Sequence, residues 1–446
     1  MKRSAWRYLW SAHDIRRKLL ITLLILAIFR LASHVPVPGV NREAMASILA
    51  GGGPGGTLVG LLDLLSGGTV SNFSVLAMGV YPYITAQIIL QLLVPIIPAL
   101  QKRMEEDPRE GQKWMQKWTY ILAVPMAALQ AIGQINLFSS FTGGVPILEN
   151  FGFRGATLLP STAVIISMTA GTMFAIWLGE LISEYGIRNQ GLSLIIFAGI
   201  VARVPANVGR LMADEQNRWA TLTVLIVATV LIIFAIVYVQ QGRRNVPVMY
   251  PGRRVGNRMS MPVKGTLPLM VNMAGMIPLI FAQSLLTFPA IIASFFAGSQ
   301  TAWVANGART VQSLFGGGSS FYYILYFLMV VAFTFFYTDI LFAQQNYGEN
   351  LKKVGAQIPG VSRGGQTQKY LTRVLRRITL PGALFLGLVA IIPWLMGLIF
   401  PFGQNENLLL VQSAGLLIVV GVVRDTFFNI EAELKLHGYD ETLLVR

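Results

Sequence analysis

Long apolar runs separated by short polar stretches dominate this chain. Ten of them approach or reach the length that an α-helix needs to cross a bilayer, which is about 20 residues. An even number of crossings puts both termini on one side of the membrane. The fifth and tenth runs are short for a span, so we expect their helices to extend further. The predicted spans are Leu19–Ala32, Val75–Pro98, Thr119–Leu137, Thr157–Ile182, Leu192–Val204, Trp219–Val239, Leu267–Phe296, Phe321–Ala343, Ile378–Phe400 and Leu408–Val423.

The stretch from Leu58 to Leu100 departs from this regular pattern. A half-length apolar run, Leu58–Leu65, ends at Ser66-Gly67-Gly68 and is followed almost at once by the full-length second span. This order predicts a segment that dips into the membrane and turns back. Irregular backbone at that depth requires surrounding protein or a water-filled cavity. The alternative is a short amphipathic turn on the surface.

Composition supports a polytopic α-helical membrane protein. Of the 446 residues, 54% are hydrophobic and only 12% are charged, whereas soluble domains average about 25% charged residues. The absence of Cys excludes disulfides, Cys–metal sites and thiol chemistry. The three His residues, His13, His34 and His437, are terminal or interfacial, and no HExxH motif or intramembrane carboxylate pair occurs. We therefore expect no metal, no cofactor and no His-based catalyst, and neither a membrane protease nor a pump.

Basic residues lie mainly on one side of the predicted membrane topology. The termini and the loops after the even-numbered spans hold 28 of the 35 Lys and Arg residues, and the other loops hold 6. Because cytoplasmic loops carry the excess of positive charge, both termini are expected to be cytoplasmic.

Two cytoplasmic loops, 241–266 and 345–372, are longer than connections between helices usually are. Both are basic and rich in Gly and Pro. Orientation of the chain would need much shorter loops, so the excess predicts a docking surface for a large anionic partner. The alternative is that the charges serve only orientation and contact with anionic lipid headgroups.

The spans divide into two sets of five, which have opposite orientations in the membrane because five is odd. Residues 19–215 form the first half and 216–425 the second, with a cytoplasmic segment, 1–18, before them and a tail, 426–446, after them. This parity permits an inverted repeat with a functional site near the midplane. A secondary transporter has that architecture too, but it needs a coupling-ion site, and the spans offer no charged pair near their centres.

The middles of the spans carry aliphatic and small polar residues instead of charges. A ring of aliphatic side chains can close a pore by excluding water. Such residues are nevertheless far more often lipid-facing or part of a core, so composition alone does not identify a pore.

Several strings of residues carry a resemblance to a known family. They include Ser33-His34-Val35-Pro36-Val37-Pro38-Gly39-Val40, Met78-Gly79-Val80-Tyr81-Pro82-Tyr83-Ile84, Trp177-Leu178-Gly179-Glu180 and, most specific, Pro268-Leu269-Met270-Val271-Asn272-Met273-Ala274-Gly275-Met276-Ile277-Pro278. By these strings, in order and at family spacing, the chain resembles the SecY/Sec61-alpha family of protein-conducting channels. The similarity runs from about Arg16 to about Tyr439.

The resemblance implies an all-α membrane protein with ten transmembrane helices in two inverted five-helix halves. The halves form a clamshell around an hourglass pore, and a short plug helix fills the outer funnel at about residues 58–68. The plug residues would be Leu61, Leu62, Leu64, Leu65, Ser66, Gly67 and Gly68. The ring at the pore waist would be Val80, Ile84, Leu192, Ile196, Ile280 and Ile418.

The resemblance also implies a lateral gate between spans 2–3 and 7–8, with Thr85, Gln87 and Asn272 at the seam. The basic loops would dock the SecA motor or the ribosome. Ser362 stands where the family usually has Arg, and Arg363 follows it, so the exact contacts are open. The docking residues would be Arg243, Arg244, Arg253, Arg254, Arg258, Lys352, Lys353, Arg363, Lys369 and Arg373.

Further partners implied by the resemblance are SecE and SecG in a heterotrimer, signal peptides and nascent chains, anionic lipids, YidC and SecDF. The expected location is the bacterial plasma (inner) membrane. A passive channel of this kind has no catalytic residue and takes its driving energy from a partner. A scaffold that only docks ribosomes is a further alternative, and it predicts neither a pore nor a plug.

Overall fold

A helix lies at each of the ten predicted spans in the computed structural model. The structure describes residues 13–41, 66, 69–70, 73–141, 147–148, 151–152, 155–188, 190–212, 218–251, 254–255, 258–259, 261, 263–296, 301–315, 319–399 and 406–436. The helices at the ten spans are α1 (His13–Ala32), α2 (Tyr81–Leu93), α4 (Pro108–Phe141), α5 (Leu158–Tyr185), α6 (Gly191–Met212), α7 (Arg218–Gln241), α8 (Ile277–Phe296), α10 (Ser320–Gln345), α12 (Gly365–Ile399) and α13 (Glu406–Leu436).

The connections contain further short elements. They are the helices α3 (Pro98–Glu106), α9 (Ala302–Phe315) and α11 (Tyr347–Lys353), a 3-10 turn (Gly155–Thr157), and the strands β1 (Arg243–Tyr250), β2 (Arg254–Val255), β3 (Arg258–Met259) and β4 (Val263–Met270).

Length and hydropathy identify five of the described helices as able to cross a membrane by themselves. They are α4, α5, α8, α10 and α12, and α2 with α3 would make a sixth if that bent pair counts as one span. Helices α6 and α13 continue to Met212 and Leu436, well past the predicted ends at Val204 and Val423. The expectation that the fifth and tenth spans extend further is confirmed.

The second predicted span, Val75–Pro98, is wrong in its bounds. Residues 73–80 form successive turns, and α2 begins only at Tyr81. Gly79 has φ +51°, a value that glycine adopts without strain and that ends any helix there. The chain bends by 97° between α2 and α3, at a segment with Pro95 and Pro98, because proline cannot continue the helical hydrogen-bond pattern.

The seventh predicted span begins ten residues too early. Leu267–Met270 belongs to β4, which pairs antiparallel with β1 along its full length, from Arg243 opposite Met270 to Tyr250 opposite Val263. The helix starts at Ile277, after a turn in which Gly275 has φ +64°. The two strands of the loop after the sixth span therefore take residues that hydropathy assigned to the membrane.

The contacts between residues divide the chain into two compact units. The first unit comprises Met1–Thr229, Ser284–Tyr323 and Pro393–Arg446, and the second comprises Val230–Gln283 and Ile324–Ile392. These units follow packing and not the order of the spans, so the division into halves at residue 215 stays a prediction.

The core of the first unit lies where α2, α4, α5 and the end of α8 meet. Helix α4 packs on α2 and α5, and α5 packs on α1 and α6. Phe73 and Phe138 are both fully buried and meet edge to face at 6.0 Å. The turns before α2 also pair with the segment after α1, where the Val37 N–H donates to the Phe73 carbonyl over 3.0 Å. An ion pair between Lys18 and Glu433 joins α1 to α13.

The second unit has a separate core at the end of α10 and the beginning of α12, where the β1–β4 hairpin packs on them. Val246, Val248 and Leu269 from the β1–β4 hairpin pack with Phe342 of α10 and Leu375 of α12. Ala356 and Ile358, from the loop after α11, complete this cluster. The two long basic loops therefore share one hydrophobic core.

Helix α9 was not predicted, because its sequence lacks a long apolar run. Its buried positions are Ala305, Ala308 and Gln312, which recur at the helical spacing of three or four residues. Trp303 projects from its first turn and is 78% exposed.

Glycines in α5 allow the backbone of neighbouring segments to come close. A Cβ added at Gly171 would lie 2.2 Å from the carbonyl oxygen of Val75. Neither the helix nor the turn segment can move away cheaply, because both are part of the first unit's core.

Gly171→Ala is therefore expected to lower stability by about 1–3 kcal/mol through overpacking. Gly307→Ala is the matched control, because a Cβ at that helical position meets nothing within 4 Å and should raise stability by about 0.5–1 kcal/mol. Thermal unfolding of the two purified variants in the same lipid measures the difference. Equal midpoints for both variants would contradict the close approach at Gly171.

Candidate functional site

The six predicted ring residues lie on four helices and on the turn before α2. Val80 and Ile418 are fully buried, and Ile196 and Ile280 are almost so, whereas Ile84 and Leu192 are half-buried. Ile280 belongs to the second unit and the others to the first. Their assembly into one ring stays a prediction.

Leu192 lies against α5. A Cβ added at Gly179 would be 2.7 Å from the Cδ2 of Leu192. The neighbouring Gly191 approaches the Gly179 carbonyl even more closely, so that only glycine fits there. The start of α6 is thus fixed on α5 by two glycines and one leucine.

Most of the predicted plug, namely Leu61, Leu62, Leu64, Leu65, Gly67 and Gly68, lies outside the described residues. Ser66 is described and is only 2% exposed. Its backbone touches Gly79, where a Cβ would be 2.5 Å from the Ser66 carbonyl oxygen. The hydroxyl of Thr69 donates to the Leu76 carbonyl over 2.6 Å. The end of the predicted plug segment is therefore held against the turn that carries Val80.

The predicted gate residues on α2 lie beside buried polar groups. The Thr85 hydroxyl donates to the Tyr81 carbonyl over 3.0 Å and accepts from the Gln130 amide of α4 over 3.2 Å. The Tyr81 hydroxyl donates to the Ser284 carbonyl of α8 over 3.3 Å. Gln87 is half-buried. Polar side chains thus join α2 to α4 and to the middle of α8.

Asn272, the gate residue predicted on the other side, lies in the turn before α8. Its amide donates to the Gly275 carbonyl over 3.1 Å. The side-chain oxygen is buried and has no hydrogen-bond partner among the described residues. Asn272 belongs to the second unit and Thr85 to the first, so a hydrogen bond between them stays a prediction.

The predicted docking residues that the structure describes with side chains are all exposed. They lie on β1, on α11, in the loop before α12 and on α12: Arg243, Arg244, Lys352, Lys353, Arg363, Lys369 and Arg373. The backbones of Arg254 and Arg258 lie in β2 and β3, and Arg253 lies outside the described residues.

Backbone hydrogen bonds join the two basic loops directly. Met249 of β1 and Gln357 exchange N–H···O bonds of 2.8 and 2.9 Å as an isolated antiparallel pair. The side chain of Gln357 also accepts from the Arg363 guanidinium over 3.3 Å. The loops form one surface that presents cations from both.

A basic face on α12 continues this surface toward the apolar span. Lys369, Arg373, Arg376 and Arg377 line a concavity of about 870 Å³ that ends at Leu380. Arg376 is partly neutralised because its guanidinium donates to the Asp339 carboxylate over 2.9 and 3.3 Å. All four side chains are exposed.

Pairing of the loops can be tested because the natural chain lacks Cys. Met249→Cys with Gln357→Cys should form a disulfide readily, because a hydrogen-bonded antiparallel pair has its Cα atoms about 5.5 Å apart, within the range that a disulfide spans. Met249→Cys with Val354→Cys, an exposed position in the same loop, is the control. The measurement is the oxidised fraction on a gel after mild oxidation. Equal oxidation of both pairs would contradict the observed register.

Sequence reasoning missed the polar groups on α4 and α8. Gln130 and Gln134 lie four residues apart in the third span, and this spacing places them on one helix face. Two amides at that spacing in an apolar span could have indicated a buried polar contact. The hydrogen bond from Tyr81 to Ser284 could not be predicted from the sequence, because its acceptor is a backbone carbonyl.

Comparison with known proteins covers nearly the whole chain. The SecY family model matches residues 74–427. The chain is 38% identical over 433 residues to the protein translocase subunit SecY of Aquifex aeolicus, with 96% of each chain covered. It is 34% identical over 445 residues to SecY of Streptomyces scabiei, with 98% of this chain and 99% of the relative covered.

Solved structures show the same fold. One described as the structure of a protein conducting channel aligns with a TM-score of 0.62 and 18% identity, over 96% of this chain and 95% of that one. Sec61 in the canine ribosome–channel complex aligns with a TM-score of 0.59 and 18% identity, over 99% of this chain and 100% of that one.

Proposed function

The chain belongs to the SecY family, and we infer that it is a passive channel that conducts unfolded secretory polypeptides through a membrane. The observation that carries this is the match to a named translocase subunit along 96% of both chains. The channel also releases apolar segments of membrane proteins sideways into the lipid.

The waist of the channel is the proposed ring of Val80, Ile84, Leu192, Ile196, Ile280 and Ile418. Aliphatic side chains hold neither water nor ions, and a constriction lined by them closes by dewetting. They can also deform around a passing polypeptide, because they form no directional bonds to it. The burial of Val80, Ile196 and Ile418 supports a position inside the protein, away from lipid.

Lateral release requires a seam that can open. Thr85, Gln87 and Asn272 are proposed to line it, and the plug of residues 58–68 closes the outer funnel until a substrate arrives. An apolar segment in the open seam partitions into lipid because burial of apolar surface is worth about 25 cal/mol per Å².

The driving force comes from partners that bind the basic surface of the second unit. We propose the SecA motor and the ribosome there, with signal peptides and nascent chains as substrates. SecE would clamp the helices, SecG would flank them, and YidC, SecDF and anionic lipids are further partners. The exposed cations on β1, α11 and α12 support an anionic partner.

The proposed location is the bacterial plasma membrane, with both termini in the cytoplasm. The concentration of 28 of 35 Lys and Arg residues on one side supports this orientation.

Reconstitution tests the function. Proteoliposomes with this chain, SecE and SecG should protect a secretory precursor from added protease when SecA and ATP are present, and liposomes with SecE and SecG alone should not. Concentrative uptake of a small solute with no precursor protection would favour the secondary transporter. Binding of ribosomes with neither activity would favour the scaffold.

A further inference from the structure

A line of buried polar contacts runs between α2, α4 and the part of α8 that belongs to the first unit, from Ser284 onward. Gln130 of α4 donates to Thr85 of α2, and Tyr81 donates to the carbonyl of Ser284 on α8. Farther along, the Ser294 hydroxyl of α8 lies 3.3 Å from the Gly133 carbonyl of α4. These contacts hold three helices together with polar atoms where the spans are otherwise apolar.

A cavity of about 10 Å³ lies on this line. That volume is close to the smallest that holds one water molecule. The residues that line it come from the turn before α2, from α2 itself, from α4 and from α8: Ala77, Met78, Tyr81, Gln130, Gln134 and Ile291.

Two of the lining side chains carry unused acceptors. Gln130 is 2% exposed and Gln134 is 5% exposed. The Oε1 atom of each is buried and has no hydrogen-bond partner among the described residues. A buried amide oxygen without a donor is costly, and both glutamine side chains line the same small cavity.

We propose that this cavity binds one water molecule, which donates one hydrogen bond to Gln130 Oε1 and one to Gln134 Oε1. Water has two donors, which matches the two acceptors. A cation fits less well, because the six lining residues include no carboxylate. An apolar occupant would leave both oxygens unpaired.

This site stands on its geometry and not on the proposed function. It has a consequence if α8 separates from α2 and α4 at the proposed lateral gate. The two amides then exchange one bound water for others, so opening the seam does not first have to hydrate dry polar groups.

Direct observation is the first test. A structure of the full chain with SecE and SecG in a lipid nanodisc, at a resolution that shows ordered water, should contain density within about 2.7–3.2 Å of both Oε1 atoms. Closure of the cavity, or rotation of both glutamines onto protein donors, would overturn the proposal.

A matched pair of variants gives an independent test. Ala77→Ser and Ala77→Cys add groups of similar size at a residue that lines the cavity, and both displace the water. The serine hydroxyl has one donor and can replace one of the two hydrogen bonds, whereas the thiol donates only weakly. We expect the unfolding midpoint of Ala77→Cys to be lower than that of Ala77→Ser by about 2 °C or more.

The control pair is Ala131→Ser and Ala131→Cys. Ala131 is fully buried in the apolar cluster of the first unit and does not line the cavity. There the cysteine should be the more stable of the two, because burying an unpaired hydroxyl is unfavourable. If the cysteine variant is the more stable of the two at Ala77 as well as at Ala131, the cavity is apolar and dry. That result would overturn the proposal even if the glutamines stay in place.

Discussion

Membranes that contain the Ile84→Asn or Ile418→Asn variant are expected to leak ions in the absence of any substrate. Replacing an isoleucine of the proposed waist by an amide would make that constriction wettable, and the change in transfer free energy is about 2 kcal/mol or more. By the usual conversion this corresponds to about a thirtyfold higher probability of a hydrated pore. Precursors with defective signal sequences should pass as well, because closure is weaker.

Ile89→Asn is the control for this prediction. Ile89 lies on α2 like Ile84, but it is exposed and lies about 140° around the helix, by the rotation per residue. The Ile89→Asn substitution therefore introduces the same amide group away from the proposed waist. Ion flux into dye-loaded proteoliposomes and passage of a signal-defective precursor are the two readouts. Unchanged flux and unchanged stringency in the waist variants would count against the ring.

Neutralising Lys352, Lys353 and Arg363 together should weaken binding of SecA and of ribosomes by about tenfold at moderate salt. Each exposed ionic contact contributes about 0.5 kcal/mol, and three such contacts amount to about one factor of ten. The side chains of all three are exposed, so their change to Gln should leave the second unit folded.

The matched control removes the same charge elsewhere. Arg109, Lys113 and Lys117 are exposed cations at the beginning of α4, and their change to Gln leaves the second unit untouched. Binding is measured by co-sedimentation at several salt concentrations. A loss of affinity that is equal in both triple variants would mean that overall charge, and not this surface, recruits the partners.

Hydrophobic runs sufficed to locate the ten spans, because a membrane helix needs length and apolar composition more than any particular residue. The same measure misplaced two boundaries. At Gly79 the chain turns through a positive φ, which hydropathy does not register. At Leu267 and Leu269 the apolar side chains pack in the core of the second unit. A strand that contributes to such a core has the same apolar composition as a membrane segment, so hydropathy does not distinguish the two.

Some residues of the candidate site could also be predicted from the sequence, and others could not. Buried aliphatics such as Val80 and Ile418 are common in any membrane protein, so only the family resemblance singled them out. The exposed cations of the second unit could be found from charge and loop length. The pairing of the two loops through Met249 and Gln357 could not, because backbone hydrogen bonds leave no mark on the side chains involved.

Passage of a polypeptide through the proposed waist is the central claim, and the lack of natural Cys allows a direct measurement. One Cys is placed at Ile84, and a secretory chain with one Cys is stalled in the channel at successive positions. Disulfide formation that depends on the position of the stalled chain, with none from a Cys at Ile89, is the predicted result. No crosslink at Ile84, and none at Ile280 or Ile418, would contradict a path through this waist.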